Sequence, residues 1–135
     1  ENRVRAMAFL LSEKLSITGD GTAYIIFDRE TKSRFGIRDG ETEGLVNIPL
    51  SIREVKLSLL LTEDDGCFRV SIRSKKGISA TRLAREHFNG GGHECAAGGR
   101  LYFPGDIESP EKAEDYVKAV SARFMQLQPL AETEK

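Results

Sequence analysis

Between Val55 and Ile72 the chain alternates apolar and polar residues twice, and a turn signal separates the two runs. Val55, Leu57, Leu59 and Leu61 alternate with Lys56, Ser58, Leu60 and Thr62, and Phe68, Val70 and Ile72 alternate with Arg69, Ser71 and Arg73. Period-two patterning of this kind fits a half-buried strand, and Glu63-Asp64-Asp65-Gly66 between the runs predicts a β-hairpin. On the second strand Phe68, Val70 and Ile72 share one face, while Cys67, Arg69, Ser71 and Arg73 share the other.

Around this hairpin the remaining segments read as short helices and strands. Val4, Met7, Leu11 and Leu15 recur at helical spacing and predict a helix over residues 3–15, which Gly19-Asp20-Gly21 ends. Ala23-Tyr24-Ile25-Ile26-Phe27 predicts a buried strand. Two short helical segments follow at 30–37 and 42–50, split by Asp39-Gly40, with Pro49 disturbing the end of the second. Residues 79–88 predict a helix with Ser79 as its N-cap and Asn89-Gly90 as its stop, and a short apolar stretch lies at 99–103. Ser109-Pro110 opens a last helix, with serine as cap and Ala113, Tyr116, Val117, Val120, Phe124 and Leu127 on its apolar face. The tail after Pro129 reads as frayed. The sum is α+β: a small mixed sheet with helices packed on it, in one domain over residues 1–135.

Charge narrows the function. The whole chain carries a net charge of -1, so no bulk field draws it to nucleic acid. Residues 69–100, however, hold Arg69, Arg73, Lys75, Lys76, Arg82, Arg85 and Arg100 against Glu86 and Glu94 alone. Such a local excess suits anion steering, although a solvated helix face is the usual reason for a charge run. The two cysteines, Cys67 and Cys95, are no disulfide framework and point to a reducing compartment, so a cytoplasmic location is expected. No apolar run approaches the length of a membrane span. The chain opens directly into helical pattern without an initiator Met, which reads as a piece of something longer.

Within the basic segment lies Asn89-Gly90-Gly91-Gly92-His93. Consecutive glycines suit a backbone that takes positive φ or approaches a ligand closely, and their N–H groups can cradle an anion. Glu94-Cys95-Ala96-Ala97 has helical propensity, so the glycine-rich loop is expected at a helix N-terminus, where a phosphate is favoured and His93 can donate to it. The alternative is a flexible turn with an incidental histidine. Arg73 suits a fork onto phosphate with a hydroxyl from Ser71 or Ser74; the alternative is an exposed arginine at a strand end. No carboxylate cluster, metal-ligand set or nucleophilic triad is legible. His93 and Cys95 are too few for a closed metal site, Cys95 reads as a semi-buried thiol, and His87 suits the end of a helix.

Three stretches together resemble a known family: Ser71-Ile72-Arg73-Ser74-Lys75, Ala84 to His93 with its triple glycine, and Ala96-Ala97-Gly98. They are similar to the DHH-associated domain of DHH-family phosphoesterases, and Glu43-Gly44-Leu45-Val46-Asn47 resembles the segment preceding the hairpin there. The likeness runs from about residue 43 to residue 103 and is nearest to the bifunctional oligoribonucleases that also dephosphorylate 3′-phosphoadenosine 5′-phosphate; cyclic-dinucleotide phosphodiesterases and exopolyphosphatase-related proteins are relatives. Asn89 departs from the glycine usual at its place, but Asn also tolerates positive φ. The resemblance implies that Gly90, Gly91, Gly92 and His93 contact phosphate and nucleotide and that Arg73 holds another phosphate. It also implies a partner: an N-terminal Asp-His-His domain carrying Mn2+. No Asp-His-His occurs in these residues, so they are expected to bind a short RNA or nucleotide phosphate without hydrolysing it. A standalone nucleic-acid-binding module, and a dimerising or regulatory domain whose glycines form only a tight turn, are the competing readings.

Overall fold

The computed structural model describes residues 2–38 and 40–128; Asp39 and the tail from Pro129 onward lie outside the described residues. The mixed α+β architecture is confirmed. Six strands form one sheet in the order β1-β2-β3-β4-β6-β5: β1 (Ser16–Ile17), β2 (Thr22–Phe27), β3 (Leu57–Asp64), β4 (Cys67–Ser74), β5 (Gly91–Gly92) and β6 (Ala96–Tyr102). β2 and β3 run parallel and the other neighbours antiparallel.

The hairpin forms as its alternation requires, although β3 begins at Leu57 rather than Val55 and both strands run further toward the turn. Asp64 pairs with Cys67 and Leu57 with Ser74, leaving Asp65-Gly66 as the turn, with Gly66 at φ 71. The helix over 3–15 is realised as α1 (Asn2–Phe9) continued by a π-helical turn, Leu10–Lys14. Of the two short helical segments, the first is α2 (Arg29–Phe35), capped by Asp28, whose carboxylate accepts from Thr31 N–H, and closed by Gly36 at φ 62. The second is a 3-10 helix, Leu45–Ser51, because Pro49 cannot supply the amide that a longer α-helix needs. α3 spans Ala80–His87 with Ser79 Oγ accepting from Arg82 N–H, as its sequence predicts. Ser109 makes no side-chain cap; Pro110–Lys112 form a 3-10 turn that leads into α4 (Ala113–Gln126).

The sheet separates two cores. Tyr24, Leu57, Leu59, Leu61, Phe68, Val70, Ile72, Ala97 and Leu101 pack against Leu83 of α3, Phe88 just after it, and Val117 and Phe124 of α4. On the opposite face Ile25, Phe27 and Leu60 pack against Leu10, Leu45 and Val46. This second core reaches over β2 and β3 only. Beyond it, β4 and β6 present Arg69, Ser71 and Arg73 paired with Arg100, Gly98 and Ala96.

Candidate functional site

The uncovered part of that second face forms the site. Its neighbours on β6, Ala96 and Gly98, carry a methyl group and no side chain, so nothing bulky covers Arg73 and Ser71 from that side. A cleft of about 210 Å³ opens there. Phe27, Ile37, Val46 and Leu60 give it apolar walls, and Lys32, Arg38, Arg69 and Arg73 line it with positive charge against Glu43. Arg73 Nη1 donates to the carbonyls of Ile72 (2.9 Å) and Ala97 (3.4 Å), which fixes the guanidinium at the strand end and leaves its other nitrogens for a ligand. At the other end Arg69 sits 3.4 Å from Asp64. The Asp65 N–H, helped by the charges of Arg69, Lys32 and Arg100, holds the Asp64 carboxyl below its usual range.

Two of the resembling stretches, 43–47 and 71–75, therefore meet at one cleft, since Glu43, Gly44, Val46, Ser71 and Arg73 all line it. The basic segment 69–100 divides. Arg69 and Arg73 face the cleft, while Arg82 stacks on Phe124 at 4.7 Å on the other side of the sheet and Lys75 donates to Ile52 O at 3.1 Å. Lys32 and Arg38 come from outside it. Their signal was the run of Arg29, Lys32, Arg34 and Arg38 against Glu30, which the larger cluster overshadowed.

The glycine stretch differs from expectation in its surroundings. Glu94 to Ala97 start no helix: Ala96 opens β6, pairing with Arg73, and Ala97 pairs with Ile72 and Gly92. Two flanking strands satisfy this backbone, and that outweighs the helix preference of alanine. The glycines thus follow the C-terminal end of α3, with no helix dipole aimed at them. Gly90 N–H donates to Ala84 O at 3.1 Å, and Gly91–Gly92 form β5. Asn89 takes φ 53, and its amide ties the loop down by donating to Arg100 O (3.0 Å) and Asp106 Oδ2 (2.9 Å).

Close packing explains most of these glycines. A Cβ on Gly90 would strike Gly98 O and lie 2.6 Å from Gly99 Cα, and one on Gly92 would lie 2.8 Å from Ala97 Cα. A Cβ on Gly91 meets nothing nearer than Arg85 Cγ at 3.7 Å. Ser74 is likewise committed: its buried hydroxyl donates to Ile78 O at 2.6 Å and its N–H to Cys95 O at 3.0 Å. His93 is exposed at the turn into β6, donating its N–H to Ala96 O at 2.8 Å. Arg73, Ala96 and His93 therefore lie on consecutive rows, and strand spacing sets Arg73 and His93 about 10 Å apart at the backbone.

Other residues weighed from sequence serve the scaffold. His87 ends α3, and its carbonyl accepts from Tyr116 OH at 2.7 Å. Cys67 is buried and Cys95 exposed, both as free thiols. Among the described residues no group of three His, Cys, Asp or Glu side chains could hold a metal ion.

Residues 8–126 match the DHHA1 domain family. The chain belongs to that family. This DHHA1 domain is 35% identical over 91 residues, 67% of its length, to the probable bifunctional oligoribonuclease and PAP phosphatase NrnA of Streptococcus mutans. It is 32% identical over 101 residues, 75% of its length, to the bifunctional oligoribonuclease and PAP phosphatase NrnA of Bacillus subtilis. An exopolyphosphatase-related protein from Bacteroides fragilis has the same fold, with a TM-score of 0.84 and 35% identity over 95% of the chain. The matched parts are 29%, 31% and 36% of those proteins, so the DHHA1 domain spans about a third of their length.

Proposed function

We propose that this DHHA1 domain grips the phosphate and nucleotide of a short oligoribonucleotide or of 3′-phosphoadenosine 5′-phosphate, for hydrolysis by a manganese-bearing DHH domain of the same protein. The observation that carries the reading is the half-buried Arg73 beside Ser71, in a cleft lined by four cations; Gly91 and His93 do not line it and lie across β6 from it. Arg73 forks onto a phosphate, Ser71 adds a hydroxyl donor, and the exposed His93 and the Gly91 backbone meet the next group of the substrate. Gly90 and Gly92 let the backbone close up behind them, and Ser74 holds the turn between β4 and α3. The activities of the NrnA relatives support the substrate class. Among the described residues no set of side chains fits a metal centre, so the metal chemistry belongs to the other domain. The setting proposed is cytoplasmic; no described helix is long and apolar enough to cross a membrane.

Amide NMR shifts of the 135-residue chain, titrated with a short oligoribonucleotide, test this. Shifts at 71–73 and 91–93 are expected, weakening as salt rises. Silence there at millimolar ligand rejects the reading. The packing of Gly90 and Gly92 favours a structural role for part of the triplet. Gly91→Ala, where a methyl fits, separates the two roles: weaker binding at unchanged stability assigns Gly91 to the ligand.

A further inference from the structure

We infer that Asp106 is a positioning residue for the glycine turn: through Asn89 it holds Gly91 and His93 in the arrangement that meets the ligand. The inference rests on the proposed role of Gly91 and His93 and adds what keeps them in place. Residues 90–92 have no side chains to pack, and β5 is a two-residue edge strand paired on one side alone. Short edge backbone of this kind opens locally while the cores stay folded, and a ligand that binds it must first order it. Among the described residues, 89–93 donate just two side-chain hydrogen bonds, both from Asn89 Nδ2: to Arg100 O at 3.0 Å and to Asp106 Oδ2 at 2.9 Å. Both partners are acceptors, so both amide protons are used. Asn89 takes φ 53 just past α3. Glycine would take that φ as readily but would bring no donor.

Asp106 is itself a fixed post. The same Oδ2 accepts from Tyr102 N–H at 2.8 Å, and Asp106 N–H donates to Tyr102 O at 2.8 Å. The turn from Tyr102 to Ile107 is anchored on the main core by the buried Ile107 and by Phe103, whose ring meets Phe68 edge-on at 5.8 Å. One carboxylate oxygen thus ties the end of β6 to the start of the glycine turn. Asn89 and Asp106 are both exposed, so their bond adds little to global stability. What it limits is the motion of the segment that follows, and Asp106 does this without lining the cleft.

Calorimetric titration with the trinucleotide pApApA and amide hydrogen exchange, both on the 135-residue chain, test this with Asp106→Ala, Asp106→Asn and Asn89→Gly. Asp106→Ala and Asn89→Gly are each expected to weaken pApApA about tenfold. Both are expected to speed exchange of the His93 N–H, which donates to Ala96 O, with the melting temperature little changed. The two losses are expected not to add when combined, because both substitutions remove the same bond. Asp106→Asn keeps an oxygen for both donors and is expected to restore the affinity lost in Asp106→Ala. Unchanged affinity in Asn89→Gly, or a loss in Asp106→Asn as large as in Asp106→Ala, overturns the inference. A large fall in melting temperature in both Asp106→Ala and Asn89→Gly also overturns it, since the tie then serves the fold. If the unsubstituted chain binds no pApApA at millimolar concentration, the proposed function fails and the inference falls with it. If that chain binds and the substitutions leave its affinity untouched, the proposed function stands and Asp106 is scaffold.

Discussion

Single residues divide the site into groups that bind and groups that allow close packing. Glycine tolerance exposes the division. Gly90→Ala places a methyl against the Gly98 carbonyl, and backbone cannot move aside as a side chain can. A loss of about 2 kcal/mol or more is expected in urea unfolding, whereas Gly91→Ala stays within about 1 kcal/mol. Ser79→Ala removes the oxygen that accepts from Arg82 N–H and is expected to lower stability by about 1 kcal/mol in the same assay. Ser79 could be read directly, since a small polar residue before a helical run is a local signal. Ser74 could not: its partner Ile78 O is set by how the chain turns between β4 and α3, which no spacing reveals.

At the level of elements, two tyrosines tie the helices to the sheet and to each other. Tyr24 on β2 donates to Glu114 on α4 at 2.7 Å, and Tyr116 on α4 donates to the last carbonyl of α3. Burial, with the hydrogen bond to Glu114 next, raises the Tyr24 pKa above its ordinary 10.0; burial and the Asp106 charge raise that of Tyr116. The native state therefore favours the protonated phenols. Their contribution is complete below pH 10 and is lost as pH rises through the raised values. The melting temperature is expected to fall from about pH 10 upward, less steeply in Tyr24→Phe. A slope unchanged by that substitution would assign the alkaline loss elsewhere. The hairpin and α3 were legible because their patterns are local. β6 was not, because Ala96 and Ala97 suit a helix, and only the strands on both sides of them make extended backbone the better choice. β1 carries no sequence signal because two residues cannot show a period.

For the whole molecule, the two free thiols sample different events. Cys95 is exposed and is expected to react with a thiol reagent at once, while Cys67, 5% accessible on β4, reacts only when the sheet opens. Two equally fast thiols would show that the β4 end frays independently of the cores. The order of strands was outside what periodicity can tell: an apolar run at 23–27 says buried, and nothing in it says parallel to β3. That pairing matters most for the ligand. Parallel neighbours need a crossover, and residues 28–56 supply it, so the outer wall of the cleft is connecting chain while its floor is ladder. Lengthening or shortening that connection between Gly36 and Glu43 would reshape what the domain accepts and leave the register of all six strands intact. Selectivity can thus drift between relatives on one unchanged sheet.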